Sequence, residues 1–148
     1  MNITEILSAN LIKLKLTSKT KEDVINEMAS ILDENGKLID KDKYIKAVKD
    51  REKEFSTGIG MGIAIPHGKS SGVKEASLVF GRSVDGIDYQ SMDDELAHIF
   101  FLIAVPEESS DEHLKILSQL SRKLMHKDLR ESLMKATSAG QVITLLEK

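Results

Sequence analysis

An α/β domain is the fold class the sequence predicts, and three observations predict it. Short apolar or alternating stretches of strand length interleave with stretches whose apolar residues recur at helical spacing. Glycine, proline and aspartate punctuate the joints between them. The chain has 148 residues, 41% hydrophobic and 30% charged, with no internal repeat, low-complexity tract or interdomain linker. One domain over residues 1–148 is the economical reading, and a chain of that size buries roughly 68–70% of its unfolded surface.

In chain order, Ile12-Lys-Leu-Lys-Leu16 alternates apolar and polar residues and predicts a half-buried strand. Thr20, with Asp23 three places on, is placed as a helix cap. The helix carries Val24, Ile25, Met28, Ile31 and Leu32 on one face, and Gly36 is its expected stop. A second helix starts after Asp40, with Tyr44, Val48, Arg51 and Phe55 on one stripe. Gly58 to Gly68 reads as a loop feeding a short strand, Gly62 to Pro66. Ser77 to Ser83 is a further strand, and Asp85-Gly86 a turn before an extended piece from Ile87 to Tyr89. The continuous apolar run His98 to Val105 predicts a central strand covered on both faces and ended by Pro106. A long amphipathic helix is expected from Ser110 to Lys127, with Leu114, Leu117, Leu120 and Leu124 on one face. A short helix from Asp128 to Lys135 follows, then a last one from Ser138 to Glu147 with Val142, Ile143 and Leu146 inward.

Composition excludes several functions. Net charge is −3, with basic and acidic residues interspersed, four Phe, two Tyr and no Trp. Nucleic-acid binding needs a basic face or an aromatic platform, and neither is present. No apolar run reaches the ~18 residues of a membrane helix, so direct membrane insertion is not expected. Met1-Asn-Ile-Thr-Glu5 lacks the basic and apolar regions of a secretory signal, so the protein is expected to be cytoplasmic. The absence of cysteine excludes disulfides, thiolate metal sites and cysteine nucleophiles. There is no Gly-x-x-x-x-Gly-Lys-Ser/Thr, no Gly-x-Gly-x-x-Gly and no His-Glu-x-x-His. No metal or cofactor is expected.

The stretch Glu52 to Gly68 carries the chemistry. His67 stands between Pro66, which fixes its own φ near −65°, and Gly68, which admits a close approach of another chain or a ligand. An imidazole at such a corner, ending an apolar strand, suits a nucleophile or a phosphate carrier better than a packed core. Its ordinary pKa of about 6.5 leaves much of it neutral at cytoplasmic pH. Glu52 precedes the histidine by 15 positions, with Ile59-Gly60 and Ile63-Ala64-Ile65-Pro66-His67-Gly68 between. That pattern resembles the active-site signature of the fructose/mannitol-type enzyme IIA of the bacterial phosphoenolpyruvate-dependent sugar phosphotransferase system, and every specified place matches.

Two further side chains join His67 as candidates. Arg51 shares its stripe with Tyr44 and Val48, which aims it at the body of the domain. It reads either as a cation near a helix C-terminus, snorkelling outward, or as a guanidinium gripping phosphate oxygens through two donors. The resemblance implies the second role, since the family has an arginine just before the acidic signature residue. His113 lies on the apolar edge of the long helix near its first turn. It reads either as a half-buried histidine donating to a backbone carbonyl or as a neutral imidazole hydrogen-bonding a phosphoryl group. The resemblance implies a second active-site histidine in a His-Leu segment after a strand ending in Pro, as in His113-Leu114 after Val105-Pro106. His98 and His126 read as structural or solvated, and the acidic run Glu107, Glu108, Asp111 and Glu112 as complementing a helix N-terminus.

The resemblance spans nearly the whole chain. It implies a mixed sheet flanked by helices on both faces. It also implies a phosphoryl carrier that accepts phosphate on Nε2 of His67 from the phosphocarrier HPr. The phosphate would pass to a cysteine of enzyme IIB, which feeds the membrane component IIC for a fructose- or mannitol-class sugar. A modest apolar rim is expected around a site that meets its partners transiently. Two alternatives stand beside this. One is the nitrogen-related regulatory enzyme IIA, which keeps the histidine and governs other proteins. The other is a small-ligand binding or hydrolytic domain using its histidine pair as base and orienter.

Overall fold

We describe the chain from a computed structural model covering residues 2–109 and 111–148. A short strand, β1 (Ile12–Lys13), is followed by helices α1 (Lys21–Glu34) and α2 (Lys41–Glu54). Three short strands come next: β2 (Gly58–Gly60), β3 (Ile63–Ala64) and β4 (His67–Ser70). The long strands β5 (Ser77–Ile87) and β6 (Ala97–Pro106) precede helices α3 (Glu112–Leu124), α4 (Lys127–Lys135) and α5 (Ala139–Glu147).

The six strands form one sheet in the order β1-β5-β6-β3-β2, with β4 also paired to β6. It is mixed: β5 and β6 run antiparallel, whereas β3 and β4 both run parallel to β6. The expectation of a central strand in the His98 run is met, since β6 is flanked on both sides and its residues from Ile99 to Val105 are all buried. The sheet is covered on both faces. Successive residues of a strand point to opposite faces. On β4, a Cβ at Gly68 would meet Val48 and Tyr44 of α2, while the next ring along, His67, stacks beside His113 of α3. On β6, Phe100 packs edge-on against Tyr89 and Phe101 against Phe80.

The helix starts follow their caps. Thr20 Oγ1 accepts from the Asp23 amide at 3.1 Å, and Asp40 Oδ1 from the Lys43 amide at 3.1 Å. At the end of α1, Gly36 has φ 72°, and the Gly36 and Lys37 amides bond back to Asp33 and Leu32 carbonyls. That double bond is the Schellman arrangement, which requires a left-handed residue.

Several boundaries differ from expectation. The regular strand at Ile12 stops at Lys13, although the Leu16 amide still reaches the Arg82 carbonyl at 2.8 Å. Asp85-Gly86 is no turn. β5 runs through it to Ile87 with a register shift against β6, and Gly86 at φ 88° forms the irregularity. Pro106 ends β6, as expected, and is itself the strand's last residue. It sits opposite Ser70 in the β4 ladder, in a strand-end position a proline tolerates.

The long helix ends at Leu124, and its proposed start at Ser110 lies outside the described residues. Its inward face is Ile116, Leu120 and Leu124, with Leu117 only partly buried and Leu114 57% exposed. A step of four residues twice over keeps one face, and 116-120-124 is the set that meets the sheet. Ile143 is likewise only half-buried beside the buried Val142 and Leu146.

Candidate functional site

The site is built on a break in the sheet. β3 and β4 lie end to end along the same edge of β6, with Ile65 and Pro66 between them. The ladder is bridged there by the Ile103 amide donating to Pro66 O at 3.0 Å and by the Ile65 amide donating to Thr57 O at 3.0 Å. Proline contributes no donor, so the edge stays in register while the chain bends. His67 therefore opens β4 instead of ending a strand, which corrects the sequence expectation. The close approach expected at Gly68 is also reassigned. What comes near is the protein's own α2, with Val48 Cγ2 2.9 Å and Tyr44 Cε1 3.2 Å from where a Cβ would sit.

The His67 ring is half-buried and held by one hydrogen bond, from Nδ1 to Ile65 O at 2.8 Å. A carbonyl oxygen can only accept, so Nδ1 carries the proton and Nε2 keeps its lone pair. Burial pushes the pKa of His67 below the ordinary histidine value. The Ile65 carbonyl works in the other direction; the Arg51 charge adds to the lowering and Glu52 opposes it. The net result is a neutral imidazole.

His113, the second residue of α3, stacks beside His67 with ring centroids 6.2 Å apart and planes inclined by 27°. Its pKa is also lowered, by burial first, then by the repulsion that would arise if both rings were protonated, and by the charge of Lys69. Arg51 lines an open groove of about 500 Å³ together with Phe55, Ser56, Thr57, His67, Met92 and other residues. The structure thus brings all three sequence candidates to one place.

Arg51 does not lie on a buried stripe running to Phe55, however. α2 ends at Glu54, and Phe55, in extended conformation, is 78% exposed. The Arg51 guanidinium curls back over that end, donating from Nη1 to Phe55 O at 3.0 Å. Arg51 thus caps the end of its helix, as the first reading has it, while also lining the groove beside His67.

Glu52, read from sequence only as a signature position, is the most densely bonded side chain nearby. Its carboxylate is 6% exposed and pairs with Lys21 Nζ at 3.0 Å. It also accepts from the Thr57 amide at 3.1 Å, from the Thr57 hydroxyl and from Tyr89 OH at 3.2 Å. Sequence reasoning passed over Lys69, which lies two residues after His67 on the same face of β4; the alternation of strand side chains could have found it. The exposed Phe55 and Met92 supply the apolar rim expected of the groove. His98 bonds Ser83 O through Nδ1 at 3.0 Å, and His126 is exposed at the start of α4, both apart from the groove.

Fold and groove together define a small α/β protein presenting a neutral histidine between two other potential cations. The matching family model, "Phosphoenolpyruvate-dependent sugar phosphotransferase system, EIIA 2", covers residues 5–148. A fructose-specific EIIABC component from Bacillus subtilis is 46% identical over 148 residues, all of this chain, which spans 23% of that protein's length. A fructose-specific EIIA component from Haloferax volcanii is 41% identical over 145 residues, covering 98% of this chain and 94% of its own.

Among solved structures, the nitrogen regulatory protein IIA-Ntr of Neisseria meningitidis superposes with a TM-score of 0.86 at 33% identity, covering 97% and 98% of the two chains. The mannitol enzyme IIA in its complex with phosphorylated enzyme IIB from Escherichia coli has a TM-score of 0.82 at 28% identity, covering 95% and 96%. The chain belongs to the EIIA type 2 family of the sugar phosphotransferase system, and it is a phosphotransferase component of the fructose/mannitol type. No helix among the described residues is long and apolar enough to cross a membrane.

Proposed function

We propose that this chain, as a single cytoplasmic EIIA unit over residues 1–148, carries a phosphoryl group on Nε2 of His67. The group comes from the phosphohistidine of HPr and goes to a cysteine of enzyme IIB, which serves a membrane IIC transporter of a fructose- or mannitol-class sugar. The observation that carries this reading is the His67 Nδ1–Ile65 O hydrogen bond, which leaves the other nitrogen unprotonated at the mouth of a groove. In the loading step the Nε2 lone pair forms a bond to phosphorus as the phosphorus–nitrogen bond to HPr breaks, returning that electron pair to the donor imidazole. Arg51 and His113 hold the equatorial oxygens while charge spreads over them in a loose transition state. In the unloading step a thiolate of IIB attacks phosphorus, and the pair of the breaking bond returns to His67. Phe55 and Met92 form the apolar contact for both partners in turn.

The test is incubation with phosphorylated HPr. The wild-type chain acquires one acid-labile, alkali-stable phosphate, whereas His67→Ala folds normally and acquires none; labelling retained in that variant refutes the assignment. The 0.86 TM-score to a nitrogen regulatory protein favours a second reading, in which the same phosphohistidine governs other proteins. Chase of the labelled protein with an enzyme IIB of the fructose or mannitol class separates the two, because a transport component discharges its phosphate there and a regulator retains it.

A further inference from the structure

We propose that Glu52 is a positioning residue for phosphoryl transfer at His67, fixing the groove wall and setting the field at the imidazole. This rests on the reading of His67 as the phosphoryl acceptor.

The wall is the segment Phe55-Ser56-Thr57 that leaves α2 and lines the groove together with His67. Its bonds converge from three elements. Glu52 accepts from both the amide and the hydroxyl of Thr57. Arg51 holds Phe55 O at 3.0 Å, and Ser56 Oγ donates to Tyr89 O at 2.7 Å. Thr57 O in turn receives the Ile65 amide, whose own carbonyl anchors the His67 ring. Successive hydrogen bonds at Thr57 and Ile65, joined through the backbone of each residue, therefore link the Glu52 carboxylate to His67 Nδ1.

The carboxylate is fixed in turn by Lys21. Its Nζ lies 3.0 Å from Glu52 Oε1, 3.1 Å from Gln90 Oε1 and 4.7 Å from the centroid of the Tyr89 ring. Gln90 and Met92 line the same groove, so Lys21 ties Glu52 to a second lining segment. Removing half of a buried, hydrogen-bonded pair leaves the other half uncompensated, which makes such a pair an effective constraint on geometry.

The charge of Glu52 acts on His67 as well. The charged and titratable groups that face the imidazole are Arg51 and Glu52 from α2 and His113 from α3, with Lys69 close by on β4 beside His113. Among them only Glu52 is an anion. It offsets Arg51 and keeps His67 basic enough to bond phosphorus, while burial holds it neutral.

Glu52→Gln tests the proposal, because glutamine preserves the acceptor for the Thr57 amide and removes the charge. Measured by NMR titration in the full chain, the His67 midpoint falls, because the carboxylate that favours the imidazolium is gone. The rate of labelling by phospho-HPr drops about tenfold, the loss expected when one charge-assisted hydrogen bond that positions the site is weakened. Should Glu52→Gln melt at working temperature, Lys21→Met reads the same field in the opposite sense, raising the His67 midpoint by leaving Glu52 uncompensated. A folded Glu52→Gln protein with unchanged His67 midpoint and unchanged rate would overturn the proposal. So would a Lys21→Met protein whose midpoint stays put. If wild type itself takes no label, it is the carrier reading that fails, since the titration shifts stand without it.

Discussion

Gly68→Ala isolates the contact that seats His67, the proposed phosphoryl acceptor. The added methyl would lie 2.9 Å from Val48 Cγ2, 3.2 Å from Tyr44 Cε1 and 3.3 Å from the Val48 amide nitrogen. Comfortable carbon–carbon contact is about 3.5–4.0 Å, so roughly 0.5–1 Å must be found. Rotating Val48 relieves the first clash only. Its amide belongs to the α2 backbone, and the Tyr44 ring is fully buried and tethered by its hydroxyl to Ile103 O at 2.7 Å. Gly68 has no positive φ, so backbone strain does not enter and overpacking alone sets the cost.

Such overpacking costs about 1–3 kcal/mol. Because β4 must move and helix α2 resists, His67 shifts by a similar fraction of an ångström from Arg51 and His113. Misplacement by about 1 Å at a reacting centre can cost about 100-fold in rate. Urea denaturation gives the stability term and phospho-HPr labelling the rate. Adding Val48→Ala, which removes the nearest atom, makes the double variant more stable than the sum of the single losses predicts. A Gly68→Ala protein within 0.5 kcal/mol of wild type and equally fast would refute the reasoning.

Arg51→Lys replaces a planar fork with a point charge and also loses the bond to Phe55 O; labelling slows about tenfold, and an unchanged rate would return Arg51 to a purely capping role. His113→Ala slows labelling more than it lowers the melting temperature, because the ring is only half-buried; equal fractional losses would mark it as structural. The depressed pKa of His67 means that the folded state binds fewer protons than the unfolded state below pH 6.5. This contribution to stability is present above pH 6.5 and is lost as pH falls through the lowered midpoint, so the acid-side loss of stability is smaller in His67→Ala. Glu27 shows the same sign at lower pH. Burial alone would raise its pKa, but Lys13, Ser18 and Thr17 bring it down to about 2, so Glu27→Gln removes stability that wild type keeps above pH 4.5 and sheds toward pH 2. Acid titration of unfolding in both proteins measures it.

Local, periodic features of this chain were legible in the sequence alone. The β6 run, the cap at Thr20, the helix start after Asp40 and the stop at Gly36 each depend on neighbours within a few residues, and the structure has them where the pattern puts them. The family followed from one ordered motif, Glu52 to Gly68. Features depending on distant partners were not legible. Gly68 reads as space for a ligand until α2 is seen to fill it. Arg82, which no sequence pattern singled out, is 8% exposed and donates to Leu14, Leu133, Met134 and Ala136 carbonyls, closing the end of α4. Asp85-Gly86 carries turn chemistry, but pairing with β6 on both sides of it keeps the strand going. Above all, sequence could propose His67, Arg51 and His113 one by one. Only the parallel seating of β4 on β6, with α2 on one face and α3 on the other, decided that His67 shares a groove with Arg51 and stacks beside His113, because the β4–β6 pairing and the His67–His113 contact join segments more than 30 residues apart.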